Sequence, residues 1–212
     1  MLIVDGHGSV RACGESVADT LGRDADELEG LPVWTVIPGW SPFDTTPLEC
    51  SLRPPGLRTS IPVKVSCEAL HVLNDTLFLL DVRPRRAAAP GSSAGAVMVT
   101  DRHGEILYVN VAFEAMTGYC RAELAGRTPA VLNSGLHPSR VHRELWTTIL
   151  DGRVFRGALV NRRRNGEFYH ETKVIRPVSD GDGRPALFLC SSRELAVPGL
   201  WRGASAAARI GA

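Results

Sequence analysis

The chain has 212 residues, 44% hydrophobic and 22% charged, with a formal net charge of +1. This balance excludes a general electrostatic affinity for nucleic acid or membrane surfaces, and the length suits one large domain or two small ones. No apolar run approaches the roughly 18 residues of a membrane span and no secretory signal core is present, so a cytoplasmic protein is expected.

A strand begins at Leu2-Ile3-Val4-Asp5 and turns at Gly6-His7-Gly8. The Gly-x-Gly spacing lacks the third glycine and the long helix of a nucleotide loop. Short helical stretches follow from Ser16 to Leu21, stopped by Gly22, and from Asp24 to Leu28, stopped by Gly30. The same pattern returns 96 residues later: Asp5 to Gly39 matches Asp101 to Gly135 without a gap. An internal repeat of this length means two copies of one fold. The expected division is a first domain at 1–84, a linker of mostly small residues with Arg85, Arg86 and Pro90 at 85–95, a second domain at 96–195 and a tail at 196–212. In the tail, Ala204 to Arg209 could form at most a frayed helix.

The copies diverge in their middles. In the first, Ser41-Pro42, Thr46-Pro47 and Arg53-Pro54-Pro55-Gly56 disfavour a helix. In the second, His137-Pro138-Ser139 opens one that places Val141, Leu145, Trp146 and Ile149 at helical spacing. This helix and the hairpin after it are expected in the second copy only.

That hairpin is signalled by Asn165-Gly166 between two alternating runs, which predicts a two-residue type I′ turn. In this register Arg164 faces Glu167. One face carries Arg163, Asn161, Leu159, Gly157 and Phe155 on the first strand, opposite Phe168, His170, Thr172 and Val174 on the second. Asn161, His170 and Thr172 then stand at the centre of an apolar face. Left without partners, each would cost about 1–3 kcal/mol. Either they satisfy one another or a polar ligand sits against the sheet. The five cysteines form no CxxC pair and are expected to be reduced and structural, with no metal site.

The strand before Asp101-Arg102-His103-Gly104, the strand Ile106 to Asn110, the helix Ala112 to Tyr119, the Glu123-Leu124-Ala125-Gly126 turn and the hairpin Asn161-Arg162-Arg163-Arg164-Asn165-Gly166 together resemble the PAS family. The resemblance covers Gly95 to Glu194 and, through the repeat, Leu2 to Pro84. It implies an α+β fold of two PAS domains, each an antiparallel sheet of about five strands with short helices on one face. Within the family, Val131-Leu132-Asn133-Ser134-Gly135, Glu144-Leu145-Trp146 and Gly157-Ala158-Leu159-Val160-Asn161 are similar to the flavin-binding, redox-sensing branch that includes nitrogen-fixation regulators. That likeness implies a hydrogen bond from Asn161 to the ring edge of a flavin, with Trp146 beside the ring. FAD is the expected cofactor, with FMN as a second form. Pro129 stands where this branch often has a glutamate, and Phe155 where it often has tryptophan.

The register adds Phe155, Leu159, His170 and Thr172 to the pocket and puts Arg163 within possible reach of a phosphate. The implied function is a signal-transducing sensor of redox state or oxygen, assembled as a homodimer. The alternatives are a cofactor-free dimerisation or protein-interaction module and a haem sensor using His137 or His142. The cysteine of light-sensing (LOV) PAS domains is absent from Gly126 to Val131. No P-loop, nucleophile elbow, metal cluster or phosphoacceptor segment is evident, so no enzyme is expected, although the chain could be the input part of a larger signalling protein.

Overall fold

The computed structural model of the chain describes residues 1–41, 46–54, 60–72, 75–85 and 95–196. Pro42, Pro55, linker residues 86–94 and the tail from residue 197, with the helix expected there, lie outside the described residues.

Two five-stranded antiparallel sheets share one topology. The first contains β1 (Leu2–Val4), β2 (Val10–Cys13), β3 (Leu48–Leu52), β4 (Ile61–Val72) and β5 (Asp75–Pro84), in the spatial order β2-β1-β5-β4-β3. The second contains β6 (Ala96–Asp101), β7 (Ile106–Val109), β8 (Phe155–Arg162), β9 (Phe168–Ser179) and β10 (Pro185–Glu194), in the order β7-β6-β10-β9-β8. Short helices α1 (Glu15–Leu21), α2 (Ala25–Leu28) and α3 (Val33–Val36) accompany the first sheet. The second has α4 (Val111–Thr117), α5 (Arg121–Leu124), a 3-10 turn (Pro129–Leu132) and α6 (Ser139–Leu150).

The repeat holds element by element. Adding 96 takes β2 onto β7, α1 onto α4, α2 onto α5 and α3 onto the 3-10 turn. Local chemistry explains why. Asp5 Oδ1 accepts from the backbone N–H groups of His7 and Ser9, and Asp101 Oδ1 from those of His103 and Glu105, closing the same turn twice. Gly22 and Gly118 end α1 and α4 at φ of 63° and 77°, in the left-handed region that glycine enters without a Cβ penalty. Asn110 caps α4 by accepting from Phe113 N–H at 2.9 Å.

The hairpin is not confined to the second copy. β3 and β4 pair antiparallel just as β8 and β9 do, although β3 has 5 residues and β8 has 8. What the first domain lacks, among the described residues, is a counterpart of α6.

The sheets pack back to back. Ile3, Ala12, Leu77 and Leu79 on one outer face meet Val97, Val99, Leu187 and Leu189 on the other, forming a core separate from the two inside the domains. Ion pairs rim this contact. Arg176, 3% exposed, binds Glu15 at 2.9 Å and also Asp26, Arg156 reaches Glu15 at 3.2 Å, Arg193 reaches Asp19 at 3.1 Å, and Arg121 binds Glu68. In each pair the arginine belongs to the second domain and the carboxylate to the first. These outer faces are therefore buried within one chain, and a second copy would have to dock elsewhere.

Candidate functional site

The β8–β9 turn has three loop residues, not two. Arg163 N–H donates to Glu167 O at 2.8 Å and Gly166 N–H to Arg163 O at 2.9 Å, with Gly166 at φ 90°. This is the arrangement in which a left-handed glycine follows a turn and forms a bulge. The register shifts by one: Asn161 faces Tyr169, Leu159 faces Glu171, Gly157 faces Lys173 and Phe155 faces Ile175. A one-residue slip exchanges the two faces of a strand. Tyr169, Glu171, Lys173 and Ile175 consequently point inward and are buried. His170 and Thr172 lie on the opposite face, which corrects the expectation that they share the pocket with Asn161.

Between the inner face of the sheet, α6 and the 3-10 turn lies a cavity of about 360 Å³. Its apolar walls include Met98, Leu145, Trp146, Ile149, Leu159, Ile175 and Phe188, and its polar lining includes Asn133, His142, Asn161 and Lys173. Of the sequence-derived residues, Asn161, Trp146 and Leu159 line it. Phe155 packs into the domain core with its ring over Gly157, beside the cavity and not on its wall. Arg163 is turned away, stacked at 4.7 Å on the Tyr169 ring and bonded to Glu194 at 2.5 Å.

Helix α6 brings His142, Leu145, Trp146 and Ile149 to the cavity because they lie three or four residues apart on one side of the helix. Trp146 meets Phe188 edge to face at 6.1 Å, and its ring would lie 2.8 Å from a Cβ added to Gly104. His142 also lines the cavity, where its Nε2 is buried without a hydrogen-bond partner among the described residues. His137 is committed elsewhere. Its Nε2 accepts from Val160 N–H at 2.7 Å, while Ser134 Oγ donates to Val160 O at 2.6 Å and Asn133 bridges to Asn161. The segment before α6 thereby covers the free edge of β8 and fixes the mouth of the cavity.

The polar groups missed by the sequence reading form a line across β8 and β9. Asn161 Nδ2 donates to Glu171 Oε1 at 2.8 Å, and Lys173 Nζ lies 2.8 Å from the same oxygen. Glu171 is 0% and Lys173 5% exposed. Burial opposes the lysine's charge most strongly, but the Glu171 carboxylate and the Cys190 sulfur together hold the ammonium's pKa above its ordinary value. Burial also pushes the nearby Cys190 thiol up to about 11, with Lys173 acting against the rise, so this cavity-lining cysteine is a neutral thiol at pH 7. Glu171 Oε2 has no partner among the described residues. The sequence clue was the opposite charge at i and i+2 on a strand, which puts both groups on one face.

The first domain has apolar residues at the equivalent positions. Aligning β5 with β10 through Phe78 and Phe188 and following the ladders puts Leu52 where Asn161 stands, Val63 where Glu171 stands and Val65 where Lys173 stands. Trp40 packs edge to face on Phe78 at 5.6 Å, and both are buried.

The family profile described as the PAS fold matches residues 86–194, just over half of the chain. The chain belongs to the PAS family. The match covers the second PAS domain, and the first is PAS-like by its identical strand order. The chain is 35% identical over 102 residues to a nitrogen fixation regulatory protein of Klebsiella oxytoca, covering 48% of this chain and 21% of that protein. It is 27% identical over 139 residues to hybrid signal transduction histidine kinase L of Dictyostelium discoideum, covering 66% of this chain and 8% of the kinase. The chain thus spans a minor part of the length of these relatives. Among solved structures it is similar to a LOV domain from a blue-light activated histidine kinase of Erythrobacter litoralis, at 26% identity and a TM-score of 0.45, covering 50% of this chain and 99% of that one. No helix among the described residues is long and apolar enough to cross a membrane.

Proposed function

We propose that the chain is a signal-transducing sensor module whose second PAS domain binds a flavin and responds to redox state or oxygen. The observation that carries this reading is the cavity beside Asn161. At about 360 Å³ it lies near the lower end of small-molecule sites, which suits the enclosure of a fused tricyclic ring more than that of a four-pyrrole haem. Its apolar walls suit the ring faces. On the cavity wall His142 Nε2 is buried without a partner among the described residues, and buried polar groups ordinarily have one. A bound flavin supplies electron-accepting chemistry. The chain's own residues supply enclosure by α6, stacking by Trp146, and hydrogen-bonding groups that must rearrange when the ring edge changes its donors and acceptors. A change of redox state shifts signalling only through such a differential interaction. FAD is the favoured form, its nucleotide tail leaving a cavity sized for the ring, and FMN meets the same description.

The first domain is a cofactor-free scaffold in this reading, because Leu52, Val63 and Val65 stand where the second domain has Asn161, Glu171 and Lys173. It occupies the outer face of the sensing sheet, so a homodimer would form through helices or strand edges. As part of a longer signalling protein, the module would pass its state onward from the β9–β10 side, where the domains meet.

The test is direct. The purified chain is incubated with FAD or FMN and desalted, and its visible spectrum is recorded. Retained flavin absorption that bleaches on reduction supports the reading, and colourless protein overturns it.

A further inference from the structure

The buried ion pair has no evident structural purpose. The first domain holds valines at the two equivalent positions and leucine in place of Asn161, and it forms the same sheet. Replacing a buried ion pair with apolar residues is commonly neutral or stabilising, so a pair kept where its sibling uses Val63 and Val65 needs another reason. The pair is also polarised. Lys173 lines the cavity, whereas Glu171 lies behind it.

Its geometry determines which atoms remain for a ligand. A carboxylate only accepts, so the bond to Glu171 Oε1 must come from the Asn161 nitrogen, leaving Asn161 Oδ1 as an acceptor. Lys173 uses one N–H on Glu171 and keeps the others as donors. Asn133, bridged to Asn161 at the cavity mouth, accepts from Gly135 N–H at 2.8 Å through Oδ1, leaving its Nδ2 as a donor. The three residues therefore offer donor, acceptor, donor.

We infer that Glu171 and Lys173 are positioning residues that set this polarity, making the cavity selective for a planar ring with an imide edge, in which one N–H stands between two carbonyls. This inference rests on the flavin reading, since the isoalloxazine has such an edge. Oxidised purines such as uric acid share the same chemistry and are the other source of it.

Binding of lumiflavin, N3-methyl-lumiflavin and uric acid to the full chain, measured by equilibrium dialysis, tests the inference. Wild type should bind lumiflavin at least about tenfold more tightly than the N-methylated ring, because a buried acceptor left unpaired is costly. The Glu171→Val/Lys173→Val variant adopts the first domain's solution and should unfold at the same or higher urea concentration while losing the discrimination. Lys173→Arg should retain it. Equal binding of both lumiflavins by wild type, or unchanged discrimination in the folded double variant, would overturn the inference and leave the flavin reading standing. Uric acid bound in place of lumiflavin would support the imide selectivity and overturn the flavin reading. If none of the three probes binds, both fail.

Discussion

Asn161 stands directly across from Tyr169 on the inner face of the second sheet, with Glu171 and Lys173 next along the same strand. This pairing puts Asn161 and Lys173 on the wall of a largely apolar cavity, with the Glu171 carboxylate behind them.

The register predicts opposite outcomes for adjacent residues on β9. His170→Ala and Thr172→Ala, on the outer face, should change stability by no more than about 0.5 kcal/mol. Glu171→Ala leaves Lys173 buried and unpaired and should cost about 3–5 kcal/mol. Urea denaturation of the three variants measures this. Comparable losses for all three would contradict the register.

Gly104 has φ +84° and lies beneath Trp146, where an added Cβ would come within 2.8 Å of the ring. Gly104→Ala should therefore cost about 1–3 kcal/mol through backbone strain and should displace the indole. A shift in tryptophan emission, absent from a Trp146→Phe background, checks the displacement. Unchanged emission and stability would show that Trp146 is not seated there.

The domain interface should respond to charge. Arg176→Met removes the buried arginine that holds Glu15 and Asp26, leaving those partly exposed carboxylates to water. About 1–2 kcal/mol of interface stability should be lost, and amide exchange in β2 and β9 should rise together. Exchange confined to one strand would argue against coupled docking.

Stability should fall in alkali. Burial pushes the thiols of Cys13 and Cys190 up to about 11, against about 9 in an unfolded chain. The folded state then holds protons that the unfolded state releases, so stability declines as pH rises from about 9 to about 11. Lys173 acts in the same direction. Its folded pKa is raised, so its contribution is complete below about 10.4, the unfolded value, and is lost as pH rises through the folded one. Urea midpoints at pH 8 and pH 10.5 should differ, and Cys13→Ala with Cys190→Ala should shrink the difference. A flat profile would contradict these shifts.

The repeat, the short helices and α6 were legible in the sequence because their causes are local: aspartates that close turns, glycines in the left-handed region and apolar residues at helical spacing. The β9 face was not. Asn165-Gly166 suits both a two-residue turn and a three-residue turn with a bulge, and both faces of β9 mix apolar with polar residues, so alternation could not choose between them. His142 was weighed only as a haem ligand, although its spacing from Trp146 puts both on the same side of α6. The pairing of second-domain arginines with first-domain acids depends on how the two sheets dock, and Arg176 and Asp26 are 150 residues apart.

Two sheets of one topology differ inside: one has Leu52, Val63 and Val65, the other Asn161, Glu171 and Lys173. The stoichiometry of flavin retained by the chain after desalting, for wild type and for Asn161→Leu, measures that difference. The expected result is one flavin per wild-type chain and a large loss in a variant that still folds. Two flavins per chain, none, or full retention by Asn161→Leu would contradict it.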